Sequence, residues 1–134
     1  MASRHSYNFA THPHITDGDM EADITPSSSI KCKHVNNLRL HMSWTDTASP
    51  VGTLIVQASE DDSTWVAVEL TSDMIHTLTS DATLSATGDI DLDGTAAGSC
   101  LINMDAPFSY MRVFWDRTGG GAADLLQVTA SGRE

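Results

Sequence analysis

Apolar and polar side chains alternate along several short stretches of this sequence, and a period of two is the pattern of a β-strand with one buried face. The alternation is strict in LRLHMSW, and in YMRVFW Met111, Val113 and Trp115 fall on one side and Tyr110, Arg112 and Phe114 on the other. Helical periodicity is nearly absent, so a parallel sheet with intervening helices is not expected. Strand-like segments occupy residues 20–24, 29–34, 38–44, 52–59, 64–70, 100–104, 110–115 and 125–130.

About eight short strands separated by turn-like clusters predict an all-β fold, an antiparallel β-sandwich of the jelly-roll type. A chain of 134 residues is the size of one domain with one core. We expect an extended N-terminal arm over residues 1–18 and the β-sandwich over residues 19–134. Region 71–98 is rich in Thr and Ser, which favours a long loop or an extra hairpin over a helix. Strand positions predict that the three tryptophans are core residues: Trp44, Trp65 and Trp115.

The charge of the chain limits the partners that it can bind. Seven Lys and Arg residues stand against eighteen Asp and Glu, which gives a net charge of −11. Binding to nucleic acid or to an anionic membrane surface is not expected, because both need clustered basic side chains. The stretch MASRHSYNFATHPH has no hydrophobic segment, so no secretory signal is predicted. We expect a protein that is made in a cytoplasm and binds other proteins.

A triple glycine in the run TGGGAAD raises the question of a phosphate-binding loop. Such a loop places a lysine after its last glycine and opens a helix. Here Asp124 follows, and then a strand-like segment begins. The glycines are therefore predicted to form a hairpin turn, where positive φ costs glycine little. We also take them as candidate contacts to a partner: Gly119, Gly120 and Gly121.

The segment DIDLDGT matches the opening of a calcium-binding loop, with Asp89, Asp91 and Asp93 at positions one, three and five and a glycine at six. Position twelve should be a glutamate but is a cysteine, and flanking helices are not predicted, so a helix-loop-helix site is rejected. A looser calcium site in a loop of a β-protein stays as a candidate. The alternative is a strand edge with the Ile and Leu facing inward and the aspartates outward.

Histidines and cysteines in this chain do not form a metal-binding pattern. His12 and His14 flank a proline, which favours an extended backbone. Zinc sites usually show repeated ligand pairs at closer spacing, and none occurs here, so neither a metal nor another cofactor is predicted. Cys32 and Cys100 are expected to be reduced and half-buried, although their spacing leaves a disulfide open.

A catalytic constellation is likewise not predicted from the sequence. The nucleophile-elbow pattern G-x-S-x-G does not occur, and the pair Asp61-Asp62 lies in a turn, where solvated acids are common. We expect a protein that is not an enzyme. Tyr7 and Phe9 are apolar anchors on an arm without a core of its own. We hypothesise that they enter a pocket on an adjacent subunit, together with the two histidines of the arm: His12 and His14.

From Asp23 onward the chain resembles the small β-sandwich virion proteins of tailed bacteriophages. The resemblance lies in a segment ending SWTDT, then GTLIVQASEDDSTW, then APFSYMRVFWDRTGGG and a closing strand. The extra residue in APFSYMRV departs from the usual short form of that pattern. The positions that carry the resemblance are Gly52, Gln57, Ser59, Trp65, Pro107, Tyr110, Arg112, Val113 and Gly119 to Gly121.

The resemblance implies a structural component of a virus particle. The role that we expect is a capsid decoration or cement protein on the outer surface of the virion, made in the host cytoplasm. Its partners would be the major capsid protein or other virion proteins, and a homo-oligomer is expected. The alternative is a neck, tail, spike or fibre component that adheres to glycans on the host surface. A calcium-dependent carbohydrate-binding module is a third hypothesis.

Overall fold

Two antiparallel sheets make up the computed structural model of this chain, which describes residues 9–79, 82–94, 97–105 and 108–133. A single turn of 3₁₀ helix spans Ser72–Met74. The strands are β1 (Phe9–Asp19), β2 (Ile30–Lys31), β3 (Asn37–Trp44), β4 (Val51–Ser59), β5 (Val66–Ala67), β6 (Ile75–Leu78), β7 (Ala82–Leu84), β8 (Ile90–Asp93), β9 (Gly98–Asp105), β10 (Tyr110–Gly119) and β11 (Leu125–Arg133).

The order of the strands is that of a jelly roll. The first sheet runs β1-β11-β3-β9-β6, and the second runs β2-β10-β4-β8-β7, with β5 beside β4. Eight of these strands, β1-β11-β3-β9 and β2-β10-β4-β8, form the two four-stranded sheets of a jelly roll, in which successive long strands mostly change sheet. The predicted sandwich is confirmed, and the short strands β5, β6 and β7 are additions between β4 and β8.

The core lies between the sheets and is built by the alternation that the sequence shows. On β10, Met111, Val113 and Trp115 are fully buried, while the residues between them are only partly buried. Alternate residues of every strand point to the inner face of its sheet, so the inner side chains of the other strands pack against those of β10 and fill the core. Other fully buried side chains are Met20, Ile30, Leu38, Leu40, Met42, Leu54, Val56, Ile90, Ile102 and Leu126.

The predicted arm is partly a strand of the domain. Of residues 1–18, those from Phe9 onward belong to β1, which pairs with β11 at the edge of the first sheet. The sequence hides this strand because its register shifts three times, between Phe9 and His12, Pro13 and Ile15, and Ile15 and Gly18. Each shift breaks the period of two, and a proline within a strand is tolerated only at an edge or a bulge.

Three predicted strands are much shorter than expected. Segment 29–34 contributes only the two residues of β2. Segment 20–24 forms only an isolated bridge between Ile24 and Trp115. Segment 64–70 contributes only the two residues of β5, and Val66 is 60% exposed. Region 71–98, predicted as a loop or hairpin, contains β6, β7 and β8 within its described residues. Propensity alone misplaces these elements, because tertiary pairing decides how far a marginal strand extends.

Candidate functional site

The outer surface of the second sheet carries a group of aromatic and basic side chains. We call this surface the cationic aromatic face and define it by Lys31, Lys33, Trp65, Tyr110, Arg112 and Phe114. Tyr110, Arg112 and Phe114 occupy the outward positions of β10, and β2 pairs Lys31 with Tyr110. The three β10 side chains and Trp65 are half-buried, and both lysines are exposed. The strands hold the β10 side chains on rigid backbone.

Trp65 and Arg112 form the centre of this face. The Arg112 guanidinium carbon lies 4.3 Å from the centroid of the Trp65 ring, within the range of a cation–π interaction. Arg112 Nε also donates a hydrogen bond of 2.7 Å to Gln57 Oε1 on β4. Burial lowers the pKa of Arg112 from its ordinary value, while the charge of Asp62 acts in the opposite direction. The guanidinium is thus held in place by Trp65 and Gln57 and stays a cation.

A second cation contacts a second ring on the same face. Lys33 Nζ lies 5.5 Å from the centroid of the Tyr110 ring. Lys31, Lys33 and Arg112 are three of only seven Lys and Arg residues in a chain of net charge −11. The face therefore holds three of the seven Lys and Arg residues of an acidic protein, with the carboxylate of Asp62 close enough to act on Arg112. Such a surface favours a partner that offers carboxylates beside apolar contacts.

The alternation in the sequence predicted that Tyr110, Arg112 and Phe114 lie on one side of β10. It did not predict a binding site on that side. The prediction for Trp65 was wrong, because this side chain is half-buried on the outer surface rather than in the core. Trp44 and Trp115 are buried as predicted, at 5% and 0% exposure. The signal that sequence analysis could have used is the composition of the outward positions, since aromatic and arginine side chains are enriched at protein interfaces.

The candidate contact residues of the N-terminal region fall into two groups. Tyr7 lies outside the described residues, and for Phe9 only the backbone, the first residue of β1, is described. His12 and His14 lie on β1, within the first sheet rather than on a separate arm. His14 is only 8% exposed, so its side chain packs inside this chain.

His14 connects the two sheets at the edge of β10. Its Nε2 accepts a hydrogen bond of 3.0 Å from the backbone N–H of Val113, just beyond the end of β2. Desolvation by burial, together with the charges of His12 and Arg112, lowers the pKa of His14 to about 4. Among the described residues, neither His14 Nδ1 nor His12 Nε2 has a hydrogen-bond partner, although both are buried. The imidazole is therefore neutral, with its proton on Nδ1.

The glycine run packs against its own chain. Gly120 and Gly121 have φ values of +64° and +89°, which glycine adopts without a steric penalty. A Cβ on Gly120 would clash with the carbonyl oxygen of Ser49, whereas a Cβ on Gly119 would have no atom within 4 Å apart from its chain neighbours. The run is a turn, but the predicted hairpin was wrong: it connects β10 in the second sheet to β11 in the first, and these two strands do not pair. Of the three glycines, Gly119 leaves open space for a partner.

Asp124 fixes this turn, and sequence analysis missed its role. The side chain is fully buried. Desolvation by burial opposes ionisation, but hydrogen bonds from Thr47 and Ala48 N–H and from the Thr47 and Thr45 hydroxyls outweigh it and lower the pKa of Asp124. The distances from these donors to its two oxygens run from 2.6 to 3.0 Å. The carboxylate thus joins the end of β3 to the start of β11.

The calcium candidate is not assembled. Asp91 and Asp93 lie on β8, and Asp91 accepts a hydrogen bond of 3.0 Å from the Thr53 hydroxyl. Asp89 precedes the strand, where its side chain accepts a hydrogen bond from Thr87 at 3.1 Å. Carboxylates on alternate residues of an extended strand do not converge, and the described residues contain no group of three metal ligands. The expected strand edge is present, with Ile90 and Leu92 buried.

Cys32 and Cys100 are both buried free thiols. Burial raises the pKa of Cys32 to about 11 and that of Cys100 to about 12. Thiols so far from ionisation are poor nucleophiles and poor metal ligands at neutral pH. We assign both to packing. In the described part of the chain, no helix has the length and apolar character needed to cross a membrane.

Comparisons with known proteins relate this chain to one solved structure. No protein-family model matches the sequence, and no curated protein matches it. The fold is similar to that of the crystal structure of the SPBc2 prophage-derived protein YomS, with a TM-score of 0.55 and 8% sequence identity. The similarity covers 100% of this chain and 99% of that chain. At this identity the two proteins share a fold over their whole lengths.

Proposed function

We propose that this protein is a non-enzymatic structural component of a tailed-bacteriophage particle that decorates the outer surface of the capsid. The observation that carries the phage assignment is the end-to-end fold similarity to a prophage-derived protein. The sequence resemblance to phage virion proteins supports the same assignment. The binding role rests on the cationic aromatic face, and the proposed partner is the major capsid protein or another virion protein.

The composition of the cationic aromatic face supports a role in protein binding. Trp, Tyr and Arg are the residues that most often carry binding energy at protein interfaces. Trp65, Tyr110 and Arg112 lie together here, and Arg112 is already positioned by Gln57 before a partner arrives. Pre-positioned side chains lose little conformational entropy on binding. The face is therefore built to bind with few rearrangements.

Charge supports a location on the outside of the shell. A net charge of −11 repels packaged DNA, so the inner surface of a capsid is an unfavourable environment. The basic side chains of the face would meet carboxylates of the capsid, and the acidic remainder would face solvent. A protein that binds the assembled lattice but not free subunits stabilises the lattice by mass action.

A glycan-binding role on a tail spike or fibre is the second candidate. The half-buried Trp65 and the neighbouring Tyr110 favour it, because sugars bind on flat aromatic rings. In that role the protein would be present in few copies, and soluble host-surface glycans would compete for Trp65. A capsid protein would not respond to glycans.

A binding experiment with particles that lack the protein tests the proposal. Purified protein is added and its co-sedimentation with the particles is measured, along with the temperature at which they release DNA. We expect saturable binding and a higher release temperature. Trp65→Ala and Arg112→Ala should each weaken binding about tenfold or more. The matched control is His41→Ala, an exposed residue on the outer side of the first sheet, which should bind normally. Failure of the wild-type protein to bind would refute the capsid role.

A further inference from the structure

The two sheets leave an apolar groove at one end of the sandwich. Phe108, in the segment before β10, lines two adjacent cavities of about 440 Å³ and about 340 Å³. The larger cavity also contains Val68, Met74 and Met104, and the smaller one contains Val66. Val66 is 60% exposed, which is high for a valine on a strand. We call this surface the end groove.

Acidic side chains border the end groove, and none of the described residues that line the two cavities is Lys, Arg or His. Asp73 and Asp105 lie at the larger cavity, and Glu60 and Asp61 at the smaller one. Glu60 accepts a hydrogen bond of 2.8 Å from the Ser109 hydroxyl, and Asp61 accepts from two backbone N–H groups of its own turn. Asp73 and Asp105 are both exposed. An apolar floor is thus combined with carboxylates that can pair with incoming cations.

We propose that the end groove binds an extended peptide segment of a partner protein, with a bulky apolar side chain between basic residues. The apolar side chain would pack on Phe108, Met74 and Val68, and the flanking Lys or Arg side chains would pair with Asp73 and Asp105. Asn103, at the rim of the larger cavity, offers an amide for hydrogen bonds to the peptide backbone. Charge complementarity selects this occupant, because an acidic or neutral segment would gain nothing from the rim.

This proposal is independent of the role on the capsid. The end groove and the cationic aromatic face have opposite charge, so they select different partners. Loss of Trp65 or Arg112 should leave the end groove functional, and loss of the rim carboxylates should leave the face functional.

Nuclear magnetic resonance titration tests the end groove directly. The full chain labelled with ¹⁵N is titrated with three capped peptides, Gly-Lys-Phe-Lys-Gly, Gly-Glu-Phe-Glu-Gly and Gly-Lys-Ser-Lys-Gly. We expect the Lys-Phe-Lys peptide to shift the backbone amides of Val66, Val68, Met74 and Met104, and the other two peptides to cause at most one-tenth of its effect at equal concentration. The result that overturns the proposal is equal binding of the acidic peptide, or shifts spread evenly over the domain.

A pair of variants separates rim charge from general charge. Asp73→Asn combined with Asp105→Asn should weaken binding of the Lys-Phe-Lys peptide about tenfold, since two ion pairs at the surface are lost. Glu21→Gln combined with Asp116→Asn removes the same number of exposed charges from outside the groove and should change affinity less than twofold. Equal effects of the two double variants would show that only net charge matters and would refute a specific groove.

Discussion

Mild acid should destabilise this domain through one buried histidine. His14 Nε2 accepts the hydrogen bond of Val113 N–H at a point where the edge of β10 has no β2 partner. A protonated imidazole has no lone pair to accept that bond, and it would place a charge in a site that is only 8% exposed. The fold therefore favours the neutral ring.

The size of the effect follows from the pKa of His14, which the fold lowers from 6.5 to about 4. Between these two values the unfolded chain binds a proton that the folded chain does not, so stability falls as pH falls. The linkage gives a loss of about 2 kcal/mol between pH 7 and pH 5 and about 3 kcal/mol in total once the pH is below 4. The pKa of Asp61 is lowered from 3.8 to about 2. The stability that this shift contributes is lost only when the pH falls below 3.8, which is outside this window.

Urea unfolding, followed by tryptophan fluorescence from pH 7.5 to pH 4.5, measures this loss. His14→Gln keeps an acceptor oxygen for Val113 N–H but does not titrate, so its stability should change by less than about 0.5 kcal/mol between pH 7 and pH 5. His41→Gln, at an exposed position of β3, is the matched control and should keep the full pH dependence of the wild-type chain. If His14→Gln and the wild-type chain lose equal stability, the buried neutral histidine is not the cause.

Three further predictions concern the turn and the thiols. Asp124→Ala should lower the free energy of unfolding by about 2–4 kcal/mol in urea, because four part-buried hydrogen bonds lose their shared acceptor; a change below 1 kcal/mol would contradict its anchoring role. Gly120→Ala should lower the melting temperature by several degrees, since it combines positive φ with a backbone clash, while Gly119→Ala should melt like the wild type. Cys32 and Cys100 should react with a thiol reagent at pH 8 only after urea is added, and rapid reaction of the folded protein would show that they are accessible.

The sequence predicts the sandwich because most of its long strands keep a period of two. Strand β10 alternates over six residues, and its buried set of Met111, Val113 and Trp115 is the predicted one. Strand β1 was not predicted, because three register shifts and Pro13 interrupt its alternation. The inward Ile90 and Leu92 of β8 were predicted only as the alternative to a calcium loop. Local pattern identifies strands where pairing is regular and loses them where bulges occur.

The candidate site was less predictable than the fold, since it depends on contacts between distant segments. The pattern around Trp65 predicts a strand with this side chain in the core. The strand that forms, β5, has only two residues, and Trp65 contacts Arg112 on the outer surface instead. Asp124 looks like an ordinary residue after glycines, but its donors come from residues 45–48. A single sequence contains no local signal for either contact. The predicted contacts at Tyr7 and Gly119 stay predictions.

The location of the protein on intact phage particles tests the central claim most directly. Electron cryo-microscopy of purified particles, combined with quantitative mass spectrometry, gives both its position and its copy number. We predict density for this jelly roll on the outer capsid surface, at a copy number that is a simple multiple of the lattice sites, with the cationic aromatic face against the shell. Absence of the protein from purified particles, or its presence only inside the shell with the DNA, would contradict the account.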